Sequence, residues 1–256
     1  MPWHPGEDLR HLLELAAPTV CGGCGRSGTR WCAACASTLT AVPARRWTPT
    51  PCPAGFPTTW TGTAYRDQVR TAVVAWKDGG RADLTPVLAA PLRSVLAAAL
   101  AASPEHLTAL RQGGTVPLIP APSARAGTRA RGEHRVAALC RAATRGRRAR
   151  LPTLDGLRLV RRVEDQAGLD AGQRRRNLTG AVGVRPGVGN RLAGRPCVVV
   201  DDVVTTGATL VECTRALTEA GAGPVLAVTL AATHRRAPGP PSPDPWGRVS
   251  EPAVAD

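Results

Sequence analysis

The sequence predicts an α/β fold, a parallel sheet with helices on both faces, preceded by a small module held by four cysteines. Three observations predict it. Val198 to Val200 form a short run of β-branched residues, the mark of a strand buried on both faces. After Asp201, Asp202 and a Thr-Thr-Gly turn, Leu210, Val211, Thr214 and Leu217 recur at helical spacing, and Gly221 falls where a C-terminal cap belongs. The pattern repeats upstream, where Val116 to Ile119 read as a second buried strand, followed by a Pro-Ala-Pro-Ser turn and a helix. The third observation is "CGGCGRSGTRWCAAC", whose Cys21, Cys24, Cys32 and Cys35 form two Cys-x-x-Cys pairs. A chain of 256 residues can bury one substantial core and carry a small appendage.

Taken in chain order, the N-terminus "MPWHPGEDLRHLLELAAP" reads as a helix with acids and no basic leader, which argues against a signal peptide and for the cytoplasm. Each Cys-x-x-Cys knuckle puts two thiolates on one side of a turn, and two knuckles complete a tetrahedral shell for zinc. Disulfides are the competing reading, disfavoured in a cytosolic chain. Four thiolates leave no open coordination position, so such a zinc is structural. Cys52, Cys140, Cys197 and Cys213 lack this pairing and read as small core residues. A Pro-rich link, Pro43 to Pro57, closes an N-terminal segment of residues 1–57, and a second domain is expected over 58–234.

Within that domain Val69, Val73 and Trp76 share a helical face that ends at Lys77 and a Gly-Gly turn. "LTPVLAAPLRSVLAAALAA" contains Pro86, Pro91 and Arg93, and reads as an alanine-rich soluble helix rather than a membrane span. Ser123, Arg125, Arg129 and Arg131 follow the second strand and suit a pyrophosphate, or equally a solvated basic face. "LVRRVEDQAGLDAGQRRRNLTGAV" reads as an exposed polar loop and helix, and residues 235–256 as a disordered Pro-rich tail.

Charge narrows the class of partner. The net charge is +14, from 33 basic against 19 acidic residues, which favours polyanions, either nucleic acid or a polyphosphorylated small molecule. Lys77 is the sole lysine among these bases. Two roles are open for it: an ammonium required at a site, or a cation at a helix end.

The loop after Val200 carries the chemistry. Thr205, Thr206 and Thr209 offer hydroxyls, Gly207 allows close backbone approach, and the first turn of the next helix leaves N–H groups for an anion. "VVVDDVVTTGATL" resembles the phosphoribosyl pyrophosphate (PRPP) signature of type I phosphoribosyltransferases. The resemblance implies that Asp201 and Asp202 hold the ribose hydroxyls. It implies too that Val203, Val204, Thr205, Thr206, Gly207, Ala208 and Thr209 cradle the 5-phosphate.

The whole order looks like the ComF-type family of phosphoribosyltransferase-like proteins, related to a competence factor. That order comprises a four-cysteine knuckle, Tyr65 leading to Lys77, Pro120 and Pro122 before Arg131-Gly132, Gln166 to Ala181, and the Asp-Asp loop. His134 departs from it, standing where such proteins often carry an Asn-Gln pair. The resemblance implies a type I phosphoribosyltransferase-like domain that binds PRPP and Mg²⁺ and transfers phosphoribose to a nitrogen acceptor. Asp201, Asp202 and Lys77 would be catalytic, with Ser123, Arg125 and Arg131 adding to the pyrophosphate site. It equally implies an alternative, a non-catalytic accessory of DNA uptake in contact with single-stranded DNA and uptake proteins.

Overall fold

The computed structural model describes residues 19–40, 42–122, 134–161, 163 and 177–233. Its central sheet has five strands: β1 (Arg45–Trp47), β2 (Thr59–Ala64), β3 (Leu118–Pro120), β6 (Cys197–Val204) and β7 (Val225–Ala232), in the order β1-β2-β7-β6-β3. Every pairing except β1 with β2 is parallel. β4 (Leu157–Leu159) and β5 (Val182–Val184) form a separate antiparallel pair. The fold is therefore mixed α/β with a mostly parallel central sheet, as the buried valine runs require.

Helices cover both faces. On one lie α2 (Asp67–Lys77), α3 (Thr85–Ala101) and α5 (Arg135–Ala143), packed with Val198, Val200 and Val228. On the other, α7 (Ala208–Glu219), the short α6 (Gly189–Leu192) and the β4–β5 pair pack with Cys197, Val199 and Ala227. Successive strand residues point to opposite faces, so alternate residues of one valine run feed two cores. The small α1 (Ala33–Thr40) and α4 (Pro104–Arg111) lie alongside, and a 3-10 turn, Ala82–Leu84, leads into α3.

Local chemistry explains the boundaries. Pro104 sits at the start of α4 with Ser103 as its cap, and the Ser103 hydroxyl lies 2.7 Å from His106 Nδ1. His134 caps α5: its Nδ1 accepts the Ala137 N–H at 3.2 Å, which gives the departure at this position a structural role. α7 ends as the sequence predicts, with Gly221 at φ 82° and the Ala222 N–H returning to Leu217 O. Ala82–Ala101 is long and apolar enough to cross a membrane, but half of it is buried inside this fold, where α3 packs on β2, β7 and α5.

Several expectations are corrected. The strand expected at Val116 to Ile119 is Leu118–Pro120, whose pairing with β6 begins at Leu118 facing Val198. The Pro-rich link is not featureless: Arg45–Trp47 adds an antiparallel edge strand to β2. Cys140, Cys197 and Cys213 are core residues, but Cys52 is exposed. The "LVRRVEDQAGLDAGQRRRNLTGAV" segment starts and ends in paired strand, Leu159 facing Val182.

Candidate functional site

β6 runs four residues past Val200, and this is the main correction to the sequence reading. Asp201, Asp202, Val203 and Val204 were expected in a loop but lie within the strand, where Asp201, Val203 and Val204 pair with Thr229, Ala231 and Ala232. Buried carboxylates in a strand need compensation. Asp202 shares the face of Val200, the face covered by α2, and is 3 % exposed. Its compensation comes from the last residue of α2: Lys77 Nζ stands 2.7 Å from Asp202 Oδ2. Residues 125 positions apart in sequence thus make one ion pair.

The electrostatics split the two acids. Burial raises the Asp202 pKa, but the Lys77 ammonium together with hydrogen bonds from Asp201, Lys77 and the Val203 N–H outweighs it and holds the carboxyl below its ordinary range. Among the described residues Asp201 has no such cation in contact. Burial and the Asp202 charge push it well above the ordinary range, while its Oδ1 accepts the Asp202 N–H at 2.8 Å. Burial works to lower Lys77, but Asp202 and Asp201 reverse this and keep it charged. Adjacent carboxyls whose pKa values are pushed in opposite directions are a pattern found at functional sites. Tyr65, at the end of β2, joins the cluster; burial raises its phenol, and the charges of Arg70, Asp202 and Lys77 act on it. Next to it Asp67 has φ 47°, a left-handed residue at the same sheet edge.

The phosphate-type loop is shorter than expected, spanning Thr205 to Gly207. Thr205 is exposed, Thr206 half-buried, and Gly207 stands at φ 79° as the residue that starts α7. The Val211 N–H is the first to return to the turn, at 3.0 Å from Gly207 O, so the N–H groups of Thr209 and Leu210 head the helix as an anion cradle. Ala208 N–H lies 3.5 Å from Thr206 Oγ1.

One contributor escaped the sequence reading. A Cβ at Gly207 would stand 2.5 Å from Phe56 Cε2 and 3.5 Å from Pro49, so the 49–56 arm lies directly on the loop. Phe56, edge-on to Trp47 at 6.2 Å, is the one phenylalanine of the chain, a signal that could have flagged it. Gly207→Ala is therefore expected to lose about 1–2 kcal/mol to the left-handed backbone, and more to the Phe56 clash. Urea unfolding of Gly207→Ala and of Gly207→Ala with Phe56→Ala checks this. Removing the ring should return the clash portion and leave the backbone portion; a fully wild-type single variant would refute the contact.

The four N-terminal thiols converge as expected, with all Sγ atoms within 4.8 Å of one another and Cys24 to Cys32 at 3.6 Å. Tetrahedral ligation at ~2.3 Å requires sulfurs roughly 3.8 Å apart, so this cluster could hold a metal ion. Burial raises the Cys21 thiol, but the N–H groups of Cys24, Cys32 and Gly23 outweigh it and bring it down to about 6, close to the thiolate a metal needs. The module is seated on the chain that follows Lys77. Gly22 abuts Leu84, and Arg81 Nη2 donates to Val20 O at 3.0 Å. Trp76 Nε1 donates to Thr85 Oγ1 at 3.0 Å, tying the end of α2 to the start of α3.

Ser123, Arg125, Arg129 and Arg131 lie outside the described residues. Among curated proteins no match was found. Residues 157–250 match the family model of the phosphoribosyl transferase domain, a stretch that begins at β4 and contains the Asp201–Thr209 site but not Lys77. In this stretch, on a mostly parallel α/β sheet, the chain is similar to a phosphoribosyltransferase domain.

Proposed function

We propose that the chain is a ComF-type, cytoplasmic phosphoribosyltransferase that binds PRPP at the C-terminal ends of β6 and β7 and transfers phosphoribose to a nitrogen acceptor. Its transferase domain would begin near residue 58, with β1 an arm of the N-terminal segment laid along the sheet edge. The observation that carries the reading is the Asp201–Asp202–Lys77 cluster at the head of the Thr205–Gly207 turn, inside the stretch that matches the family model on its acid side.

Each group has a task that follows from its environment. The N–H groups that open α7, with the Thr205, Thr206 and Thr209 hydroxyls, hold the 5-phosphate. Asp201 and Asp202 accept the ribose hydroxyls. Lys77, its side chain 43 % exposed, keeps Asp202 ionised and presents spare donors towards the departing pyrophosphate. The Asp201 and Asp202 side chains hydrogen-bond each other beside Lys77, which places two acceptor groups together for the ribose hydroxyls. Mg²⁺ arriving with PRPP would supply charge neutralisation of the pyrophosphate. In the N-terminal module Cys21, Cys24, Cys32 and Cys35 hold a structural zinc.

Accepting hydroxyls requires Asp201 as carboxylate, so binding must release its proton. PRPP affinity should therefore rise with pH above the ordinary carboxyl value of about 3.9 until Asp201 is ionised in the free protein. Calorimetry with PRPP and Mg²⁺ should show this in wild type, and binding should vanish in Asp201→Asn combined with Asp202→Asn. Pyrophosphate release against a panel of nitrogen bases then identifies the acceptor. Wild-type PRPP affinity in the double variant would place the site elsewhere. The accessory role in DNA uptake draws no support from the family match.

A further inference from the structure

A cavity of about 520 Å³ lies between the C-terminal half of α3, the end of α4 and the 144–151 loop. It is remote from Asp201–Thr209. The Val116 N–H donates to Arg150 O just ahead of β3, which places the cavity by the N-terminal edge of the parallel sheet, opposite the edge where β6 ends.

Its chemistry is two-fold. The floor is aliphatic: Leu96, Leu100, Leu110 and Leu151. The rim is cationic: Arg93, Arg147 and Arg150. Arg93 Nε donates to Ala143 O at 3.0 Å and Arg150 Nη2 to Leu110 O at 3.1 Å, so backbone carbonyls hold both heads at the mouth. A guanidinium has five N–H donors, which leaves several over. Arg111, Arg141, Arg145 and Arg148 extend the exposed basic surface outward. Among the described residues none of these seven has a carboxylate in ion-pair range.

We propose that this cavity docks an acidic amphipathic segment of a partner protein, which inserts an aliphatic side chain between the leucines and lays its carboxylates on the arginines. An apolar anchor in a pocket ringed by charge is the anatomy of an interface hot spot. The volume falls within the range of ligand-sized pockets. The alternatives fit less well. No aromatic ring lines the cavity, so nucleobases have nothing to stack on. The leucines are recessed beneath the arginines rather than projecting, so they cannot enter a bilayer. Seven arginines also exceed what one small anionic head group needs.

The test uses the full chain and fluorescence anisotropy with a labelled acidic helical peptide bearing leucines at i, i+3 and i+4. Binding should weaken as salt rises. Arg147→Glu with Arg150→Glu should weaken it at least tenfold. Ala97→Trp, at an exposed position lining the cavity, should weaken it at least fivefold by filling the pocket, and Ala149→Trp does the same from the loop should the first variant not fold. PRPP affinity should stay at the wild-type value in all of them. The proposal is overturned if the peptide does not bind at low salt, or if a leucine-free acidic peptide binds equally well. It is overturned too if oligothymidylate or anionic vesicles bind more tightly than the peptide and lose binding in the arginine variants.

Discussion

Lys77→Met is expected to lower stability at neutral pH and to abolish high-affinity PRPP binding. The variant leaves the Asp202 carboxylate, 3 % exposed, with no cation. Removing one partner of a fully buried pair costs ~3–5 kcal/mol. Lys77 is 43 % exposed, so solvent screening reduces the expected loss to about 1–3 kcal/mol. The sign of the pH dependence follows from the shifts. In wild type Asp202 is held low, so its contribution is present above the ordinary carboxyl value of about 3.9 and is lost as pH falls through its lowered native value. Asp201 is raised, so the native state keeps its proton above that ordinary value, and stability from this group falls as pH rises. Without Lys77, burial makes Asp202 behave like Asp201. The gap between variant and wild type should therefore be widest at neutral pH and close under acid, where both carboxyls are protonated. Urea unfolding across that range measures it. Lys77→Arg keeps the charge and should unfold like wild type, yet bind PRPP more weakly because the planar head group cannot take the compact ammonium position. Wild-type PRPP affinity in both variants would return Lys77 to a helix-end role.

Stripping metal from the cysteine module is expected to have the second large effect, at a distance. Zinc binding to comparable peptides is worth ~10–16 kcal/mol, while the module's own core is three buried cysteines against Trp31. Without metal the knuckle should lose its form and uncover Leu84, which is fully buried beneath Gly22. Uncovering one leucine and part of Trp31 costs roughly 3 kcal/mol, or about 6–12 °C in Tm for a domain of this size. The Arg81–Val20 bond is lost with it, and Arg81 stands four residues after Lys77, so PRPP affinity should fall as well. A chelator titration followed by melting and calorimetry, then zinc readdition, checks both. Metal analysis of the purified chain should give about one equivalent, as a Cys₄ site holds one ion. A metal-free protein with unchanged melting would remove the zinc reading.

Both expectations join parts of the chain that no local pattern connects, and that marks the boundary of what sequence reading reaches. Cysteine spacing specified the four-thiol cluster because its members lie within one short stretch. The valine run, the helical period after Gly207 and the glycine at 221 likewise made β6 and α7 legible, since burial and capping leave local marks. The end of β6 was misplaced for a physical reason. Two carboxylates read as an exit from a strand, yet a cation from α2 compensates Asp202, and an ion pair across 125 positions leaves no periodicity to read. Phe56 on Gly207, His134 as a cap and the β1 edge strand were hidden in the same way, each fixed by a neighbour brought in by the sheet. The sequence by itself singled out the residues of the proposed sites: the acids, the threonine loop, the sole lysine and the four thiols. Only the tertiary structure decided their states. It places Lys77 against Asp202 rather than Asp201, and burial together with that cation then draws one acid's pKa below the ordinary range and pushes the other's above it.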